Sequence, residues 1–286
     1  MKQDVVVRFA PSPNGLLHLG HAYAAVLAHD FARSQDGTLL LRIEDIDTQR
    51  CRDEYVEGIL TDLDWLGLAF DGEVLFQSRR FDAYAAALDR LIAKDMVYPC
   101  FCTRSDLRQL EKRGQLKSGP DGPLYPGTCR DLPPDQALRR SRSEPHSWRL
   151  NSRKAMHELG PLQWHDQRFG VQPVDGEALG DVILQPRDVP VSYHLAVTLD
   201  DATDQVTHVV RGEDLLASTH VHRILQALLD LPVPDYFHHQ LLLDETGKKL
   251  SKRRKSASLA VLREHGICGH SIVNDLRKKT FPVGIT

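Results

Sequence analysis

The sequence predicts an α/β protein. It would be a doubly wound, parallel Rossmann-type sheet interrupted by an inserted subdomain and closed by a short C-terminal helical segment. Three observations carry this. Near the start, "DVVVRF", a helical run and "TLLLRIED" follow one another within about forty residues, the order of a right-handed βαβ unit. Between residues 99 and 190 the chain turns rich in Pro, Gly and Arg and loses helical periodicity. Strand and helix character then returns in "VSYHLAVTLDDATDQVTHVVRGED" and "STHVHRILQALLDL".

Each element has a local reason. Three consecutive valines make "DVVVRF" a strand buried on both faces. In "HAYAAVLAHDFARSQDG", Ala22, Ala25, Val26, Leu27 and Phe31 form one apolar stripe, and Gly37 suits the helix end. Helices are expected over 52–66 and 80–94. The stretch "KRGQLKSGPDGPLYPGTCRDLPPD" is turn chemistry flanked by cysteines. After it, "VSYHLAVTL" alternates like a strand, "LDDATDQ" reads as a turn, and a second apolar run ends at Gly212. "LREHGICGHSIVNDL" reads as a helix pair. The expected organisation is 1–98 as the first half of the sheet domain and 99–190 as the insertion. Residues 191–240 form the second half, and 241–286 a loop with the C-terminal helical segment.

Composition narrows the function. With 286 residues, 41% hydrophobic and 26% charged, the chain can build a packed core. A net charge of −3 means that any nucleic-acid partner must meet a local basic patch. "RRSRSEPHSWRLNSRK" and "KKLSKRRK" could track a phosphate backbone, or could be solvated surface. No apolar run has membrane-spanning length and the N-terminus lacks a signal-type apolar core, so a cytoplasmic protein without membrane contact is expected, as a monomer. In a reducing compartment the clustered Cys100, Cys102 and Cys129 suggest metal more than disulfides. Three thiolates plus an oxygen or nitrogen would complete a tetrahedral zinc site, although buried free thiols are an alternative. Cys51 and Cys268 have no such neighbours.

Two motifs carry chemistry. "RFAPSPNGLLHLGHAYAAV" makes a rigid turn after the first strand and then places His18 and His21 three residues apart, on one face of the next helix. The turn and helix start after the first strand of such a sheet form a ligand site. There two imidazoles can donate to phosphate oxygens as charge builds. Near the other end, "GKKLSKR" puts Lys249 and Lys252 on a glycine-bearing loop able to reach a triphosphate.

"HLGH" and "KLSKR" together resemble the two signatures of class I aminoacyl-tRNA synthetases. "RFAPSPNGLLHLGHAYAA", "LLLRIEDIDTQR", "VVRGEDLLASTHVHRILQALL" and "LLLDETGKKLSKR" are similar to the glutamyl branch, and less so to the glutaminyl one, because the turn reads "APSP". Only about 33 residues follow Arg253, too few for the helical anticodon-binding domain of a full glutamyl-tRNA synthetase. The short glutamyl-Q tRNA(Asp) synthetases are therefore the nearest pattern.

That resemblance implies ATP-dependent activation of glutamate, with Mg2+, and transfer to the queuosine base in the anticodon arm of tRNA(Asp). It implies catalytic roles for His18, His21, Lys249 and Lys252, and ATP binding by His18, Gly20, His21 and Lys252. Glutamate would meet Arg8, Phe9, Ala10, Pro11, Ser12, Glu44, Tyr193 and Arg211. The residue types suit that substrate: cations for carboxylates, an anion for the ammonium, hydroxyls between them. The resemblance also implies a structural zinc ion held by Cys100, Cys102, Tyr125 and Cys129, a C-x-C…Y-x3-C pattern. Asp45, Asp47 and Asp214 could join the site, or serve as caps. The alternatives are a truncated glutamyl-tRNA synthetase charging a tRNA 3′ end, a non-catalytic tRNA-binding paralogue, and a small-molecule ligase of the same superfamily.

Overall fold

The computed structural model describes residues 4–120, 122–242 and 257–278. The first βαβ unit is as expected. β1 (Val6–Phe9) leads to α1 (Leu19–Ser34), which returns to β2 (Thr38–Ile43), parallel to β1 with Arg8 beside Leu40. α1 starts earlier than its apolar stripe indicated, because His18 serves as its N-cap. α2 (Asp53–Trp65), β3 (Leu75–Phe76), a 3-10 turn over Gln77–Arg80 and α3 (Phe81–Ala93) complete the first half.

β4 (Val97–Cys100) opens the middle region. α4 (Arg104–Lys112), β5 (Ser118–Gly119), β6 (Gly122–Pro123), α5 (Pro134–Ser143), β7 (Ser147–Leu150) and α6 (Ser152–Leu159) follow. Little helix was expected here, yet three short helices form. α4 and α5 have no fully buried residue, so they lack the apolar stripe by which helices are read. Their ends are set by local chemistry instead. Thr103 and Asp106 make a capping box, and Pro134 stands in the first turn of α5. β8 (Gln163–Asp166) and β9 (Gly170–Pro173) form a hairpin, and β10 (Ile183–Gln185) joins β7 and β4 in a separate antiparallel sheet.

The second half departs from expectation once. The alternating run after Val191 is a helix, α7 (Tyr193–Thr203), and "LDDATDQ" is its last turn and exit. Ser192 caps it through its side chain. The alternation misled because α7 is buried on several sides. Asp200 and Asp201 are buried with Leu195, Ala196 and Val197, held by arginines from two distant strands and the 3-10 turn. β11 (His208–Gly212), α8 (Ser218–Leu229) and β12 (Asp235–His239) follow, and the helix pair α9 (Leu259–Glu264) and α10 (Gly269–Lys278) ends the described chain.

The seven strands lie in the order β3-β2-β1-β11-β12-β8-β9, all parallel except the outer β8–β9 pair. The hairpin from the middle region thus extends the central sheet. One core joins β1 and β2 to α1, α2, α9 and α10; another joins α3, α7 and α8 to β4, β7 and β10. Helices on both faces make the sheet doubly wound. No helix among the described residues is long and apolar enough to cross a membrane.

The C-terminal pair is fastened to the sheet domain by Arg277 to Asp30, at 2.6 and 2.8 Å, and by Arg263 to the buried Asp62. Gly269 sets how closely it docks, since a Cβ there would lie 2.0 Å from the carbonyl oxygen of Trp65. Backbone cannot yield as a flexible side chain can. Gly269→Ala is therefore expected to cost about 1–3 kcal/mol and lower the midpoint of thermal unfolding. An unchanged midpoint would show that this contact does not hold α10 in place.

Candidate active site

The pleat and the register together decide which residues meet. Residues two apart on a strand share a face, and partners across parallel strands point the same way. Arg8 sits beside Leu40, so Arg42 and Glu44, two and four residues further, share its face. β11 is registered on β1 with Val7 beside His208, which puts Arg211 on that face too. Arg8, Glu44 and Arg211 thus converge at the carboxyl ends of three adjacent strands, where open α/β sheets bind ligands. The first turn of α7 brings Tyr193 over them, and its hydroxyl accepts from Arg211 Nη1 at 3.3 Å.

These side chains line a cavity of about 320 Å³, to which the turn after β1 adds Phe9, Ala10, Pro11 and Ser12. All eight residues expected around glutamate are in this one wall. His21 lines it as well. Asn14, Ala24, Val210, Gly212 and Leu215 were not expected there. Asn14 stands in the quoted turn, but nothing in its sequence distinguishes a lining residue from a turn former. A larger cavity, about 510 Å³, opens between α4, the β5–β6 hairpin and β7; it holds Leu107, Leu124 and Arg149, and neither signature histidine lines it.

The electrostatics of the smaller cavity come from behind it. Arg8 is buried and donates from Nε to Asp201 at 2.9 Å, and Arg42 donates to the same carboxylate. Burial opposes the charged form of Arg8, but Asp201 outweighs it and raises the pKa above its ordinary value. Glu44 lies in the same buried environment. Burial pushes its pKa up from 4.5 to about 7, against the pull of Arg42 and Arg8. Burial likewise raises Tyr193, partly offset by Arg211.

His18 and His21 are joined at the start of α1. His18 Nδ1 accepts from Gly20 N at 3.0 Å, and His21 Nδ1 accepts from His18 N at 3.2 Å, a reciprocal capping box with ring centroids 3.9 Å apart. Both Nδ1 atoms accept, so each neutral ring carries its proton on Nε2. That is the tautomer that donates to an anion. Gly20 allows the closure, because a Cβ there would meet His18 Cε1 at 2.8 Å. The chain after β12 returns to this turn: Leu259 N donates to Leu17 O at 2.9 Å, and Ser258 bridges His18. Lys249 and Lys252 lie outside the described residues.

The cysteine cluster is far from this cavity in sequence. Sγ atoms of Cys100, Cys102 and Cys129 lie within 4.8 Å of one another. The Tyr125 hydroxyl is 3.3 Å from Cys100 Sγ and 3.4 Å from Cys102 Sγ, and Cys102 and Cys129 Sγ are 3.6 Å apart. Four donors at these separations fit a small tetrahedral ion. The contact with Cys102, then that with Cys129, holds the Cys100 thiol well below its ordinary range. Of the aspartates considered, Asp45 holds Ser78, at 2.8 Å to its N and 2.6 Å to its Oγ, and Asp47 pairs with Arg50.

Similarity to known proteins agrees with this layout. Residues 4–284 match the model of tRNA synthetases class I (E and Q), catalytic domain. A Glutamyl-Q tRNA(Asp) synthetase of Rhodobacter capsulatus is 46% identical, over 92% of this chain and 96% of its own length. One from Nitratidesulfovibrio vulgaris is 43% identical, over 94% and 84%. Among solved structures, a glutamate tRNA ligase from Elizabethkingia meningosepticum, in complex with its amino acid, superposes with a TM-score of 0.74 at 31% identity; 88% of this chain spans 52% of that one. The chain therefore belongs to the class I tRNA synthetases (E and Q), matching their catalytic domain, and it is a ligase.

Proposed function

We propose that this ligase activates glutamate with ATP and transfers the glutamyl group to the queuosine base in the anticodon of tRNA(Asp). The observation that carries the amino-acid assignment is the cavity wall: two buried guanidiniums, a carboxylate and a tyrosine hydroxyl on one face, beside the two-histidine turn. Arg8 and Arg211 match the two carboxylates of glutamate, and Glu44 matches its ammonium. In the first step an α-carboxylate oxygen attacks the α-phosphorus of ATP and pyrophosphate leaves. Nε2–H groups of His18 and His21 donate to phosphate oxygens as charge builds, beside Gly20, whose missing side chain lets the ATP approach. Lys249 and Lys252 neutralise the leaving pyrophosphate, and Mg2+ accompanies the nucleotide. In the second step an acceptor hydroxyl attacks the acyl carbon and AMP leaves. The acceptor assignment is supported by the Rhodobacter capsulatus relative, similar over almost its full length. The likeness to a glutamate tRNA ligase favours a second reading, charging of a tRNA 3′ end.

The test is glutamate-dependent pyrophosphate exchange, followed by glutamylation of tRNA(Asp) with and without queuosine beside tRNA(Glu). Exchange is expected with glutamate alone, and transfer only to queuosine-bearing tRNA(Asp). Equal exchange with glutamine would overturn the arginine assignment, since an amide should not satisfy a site built around cations. Transfer to tRNA(Glu) alone would establish the second reading.

Glu44 makes the binding step pH-dependent. A raised carboxyl pKa means that ionisation opposes folding. Its stability contribution is whole below 4.5 and lost as pH rises through about 7. In the empty cavity near neutrality Glu44 is thus partly protonated, and the ammonium of glutamate must displace that proton. The KM for glutamate is expected to rise about tenfold per unit as pH falls below about 7. Glu44→Gln should remove that slope and raise the KM at alkaline pH. A pH-independent KM in the unaltered enzyme would refute the role given to Glu44.

Cys100, Cys102, Tyr125 and Cys129 would hold a structural zinc ion, which closes the insertion around a fixed tetrahedron. One zinc per chain is expected by elemental analysis. Cys102→Ser should lose it and loosen the insertion while the central sheet stays folded. Adenylate formation should survive better than transfer to tRNA. Loss of both together would place the metal close to the chemistry instead.

A further inference from the structure

Arg211 has its own support, behind the cavity. β12 is registered on β11 with His238 beside Arg211, and on β8 with Tyr236 beside Asp166. The pleat therefore lines up Arg211, His238 and Asp166 on one face of three successive strands. Asp166 and His238 are fully buried. His238 Nδ1 is 2.7 Å from Asp166 Oδ2, and Arg211 Nε donates to His238 Nε2 at 3.0 Å. The rest of the guanidinium is also engaged: Nη2 donates to Thr219 Oγ1 at 2.7 Å and to Leu215 O at 3.2 Å. Nη1 donates to the Tyr193 hydroxyl at 3.3 Å and lies 3.4 Å from His222 Nδ1, and both Tyr193 and Leu215 line the cavity.

The donors and acceptors permit one proton assignment. Asp166 accepts from the backbone N of Arg168, Phe169 and His238, so it is an acceptor toward the imidazole as well. His238 must then carry its proton on Nδ1, and the Nε2 lone pair faces Arg211. Arginine has no acceptor, so the opposite tautomer would set two donors against each other. Tyr236 stacks on the His238 ring, and Trp164 meets it edge-on, which excludes a rescuing water from those faces.

We propose that Asp166 and His238 are positioning residues for the substrate-binding Arg211: Asp166 locks the neutral Nδ1–H tautomer of His238, whose Nε2 holds Arg211 Nε and fixes the guanidinium at the cavity wall. This deepens the glutamate reading of Arg211 and rests on it. Burial, and next the Arg211 charge, pull the His238 pKa down to about 4, in keeping with a ring that stays neutral. The hairpin β8–β9 thereby reaches the amino-acid site, although neither of its strands lines the cavity.

The test compares three substitutions at His238. A glutamine can set its amide oxygen near the position of Nε2 and keep the bond to Arg211. An asparagine reaches only the Nδ1 position and keeps the bond to Asp166. A phenylalanine keeps neither. His238→Gln is expected to hold the KM for glutamate within about threefold of the unaltered enzyme. His238→Asn and His238→Phe should raise it by about tenfold or more, the loss of one hydrogen bond to a charged group. The KM for ATP should stay constant and kcat should change less than the glutamate KM. Should the phenylalanine variant fail to fold, the glutamine–asparagine contrast still decides. Equal effects of glutamine and asparagine, or parallel changes in both KM values, would mean a purely structural tie and overturn the relay. Nitrogen NMR showing His238 protonated on Nε2 would overturn it as well. Arg211→Lys separates the two levels. If it leaves the glutamate KM unchanged, the glutamate reading of Arg211 falls. If it raises the KM while His238→Asn does not, that reading stands and the relay falls.

Discussion

The buried ion pair between Arg8 and Asp201 is the contact on which the cavity depends. It joins the end of β1 to the last turn of α7, two elements nearly two hundred residues apart. Arg42 from β2 shares the same carboxylate, and Asp200 beside it accepts from Gln77, Arg80 and Tyr84. With Asp204, which also accepts from Arg80, three arginines and three aspartates thus bind two strands, the 3-10 turn and two helices into one body. Such a network adds modest net stability, because desolvation offsets much of the attraction. Removing a single partner is another matter: it strands a buried charge, at about 3–5 kcal/mol. The network also sets the chemistry. It holds Arg8 charged at the cavity wall and contributes to the field that leaves Glu44 poised near neutrality.

The middle region is built on a different principle. Its own cluster of buried apolar residues is small, Tyr98, Phe101 and two cysteines, so apolar burial alone cannot organise it. Polar and cationic contacts substitute. Asp181 receives Tyr98 at 2.6 Å, Arg130 at 2.7 Å and Ser152 at 2.7 Å. Arg149 lies 3.8 Å over the Tyr125 ring, and Arg140 lies 4.0 Å over Phe101. The four-donor cluster at Cys100, Cys102, Tyr125 and Cys129 stands at the centre of this arrangement, where a closed metal site would add the most order per residue.

Much of this was legible in the chain because it rests on local rules. A strand of valines, an alanine-rich helix and a second apolar strand can hardly fold together except as a parallel βαβ unit. The ligand end of that unit then follows from topology, which is why the turn after β1 could be named as a site from its residues. The clustering of Cys100, Cys102 and Cys129 was legible for a similar reason, since ligand chemistry restricts residue type and separation, whereas Tyr125 entered only through the family resemblance. α7 was not legible. Its apolar residues alternate as in a strand, and its polar residues are buried only because Arg8, Arg42 and Arg80 arrive from elsewhere. α4 and α5 escaped for the opposite reason, having no buried stripe at all.

By itself the sequence determined the first βαβ unit and the two signature motifs, because each rests on spacing within a short segment, and the resemblance those motifs carry named the eight residues that line the smaller cavity. Only the tertiary structure decided which charges face one another. The register of β1, β2, β11, β12 and β8 brings Arg8 to Asp201 and carries Asp166, through His238, to Arg211. No local pattern encodes those pairs, for a buried charge is tolerable only beside a partner, and its partner is chosen by the packing of the whole sheet.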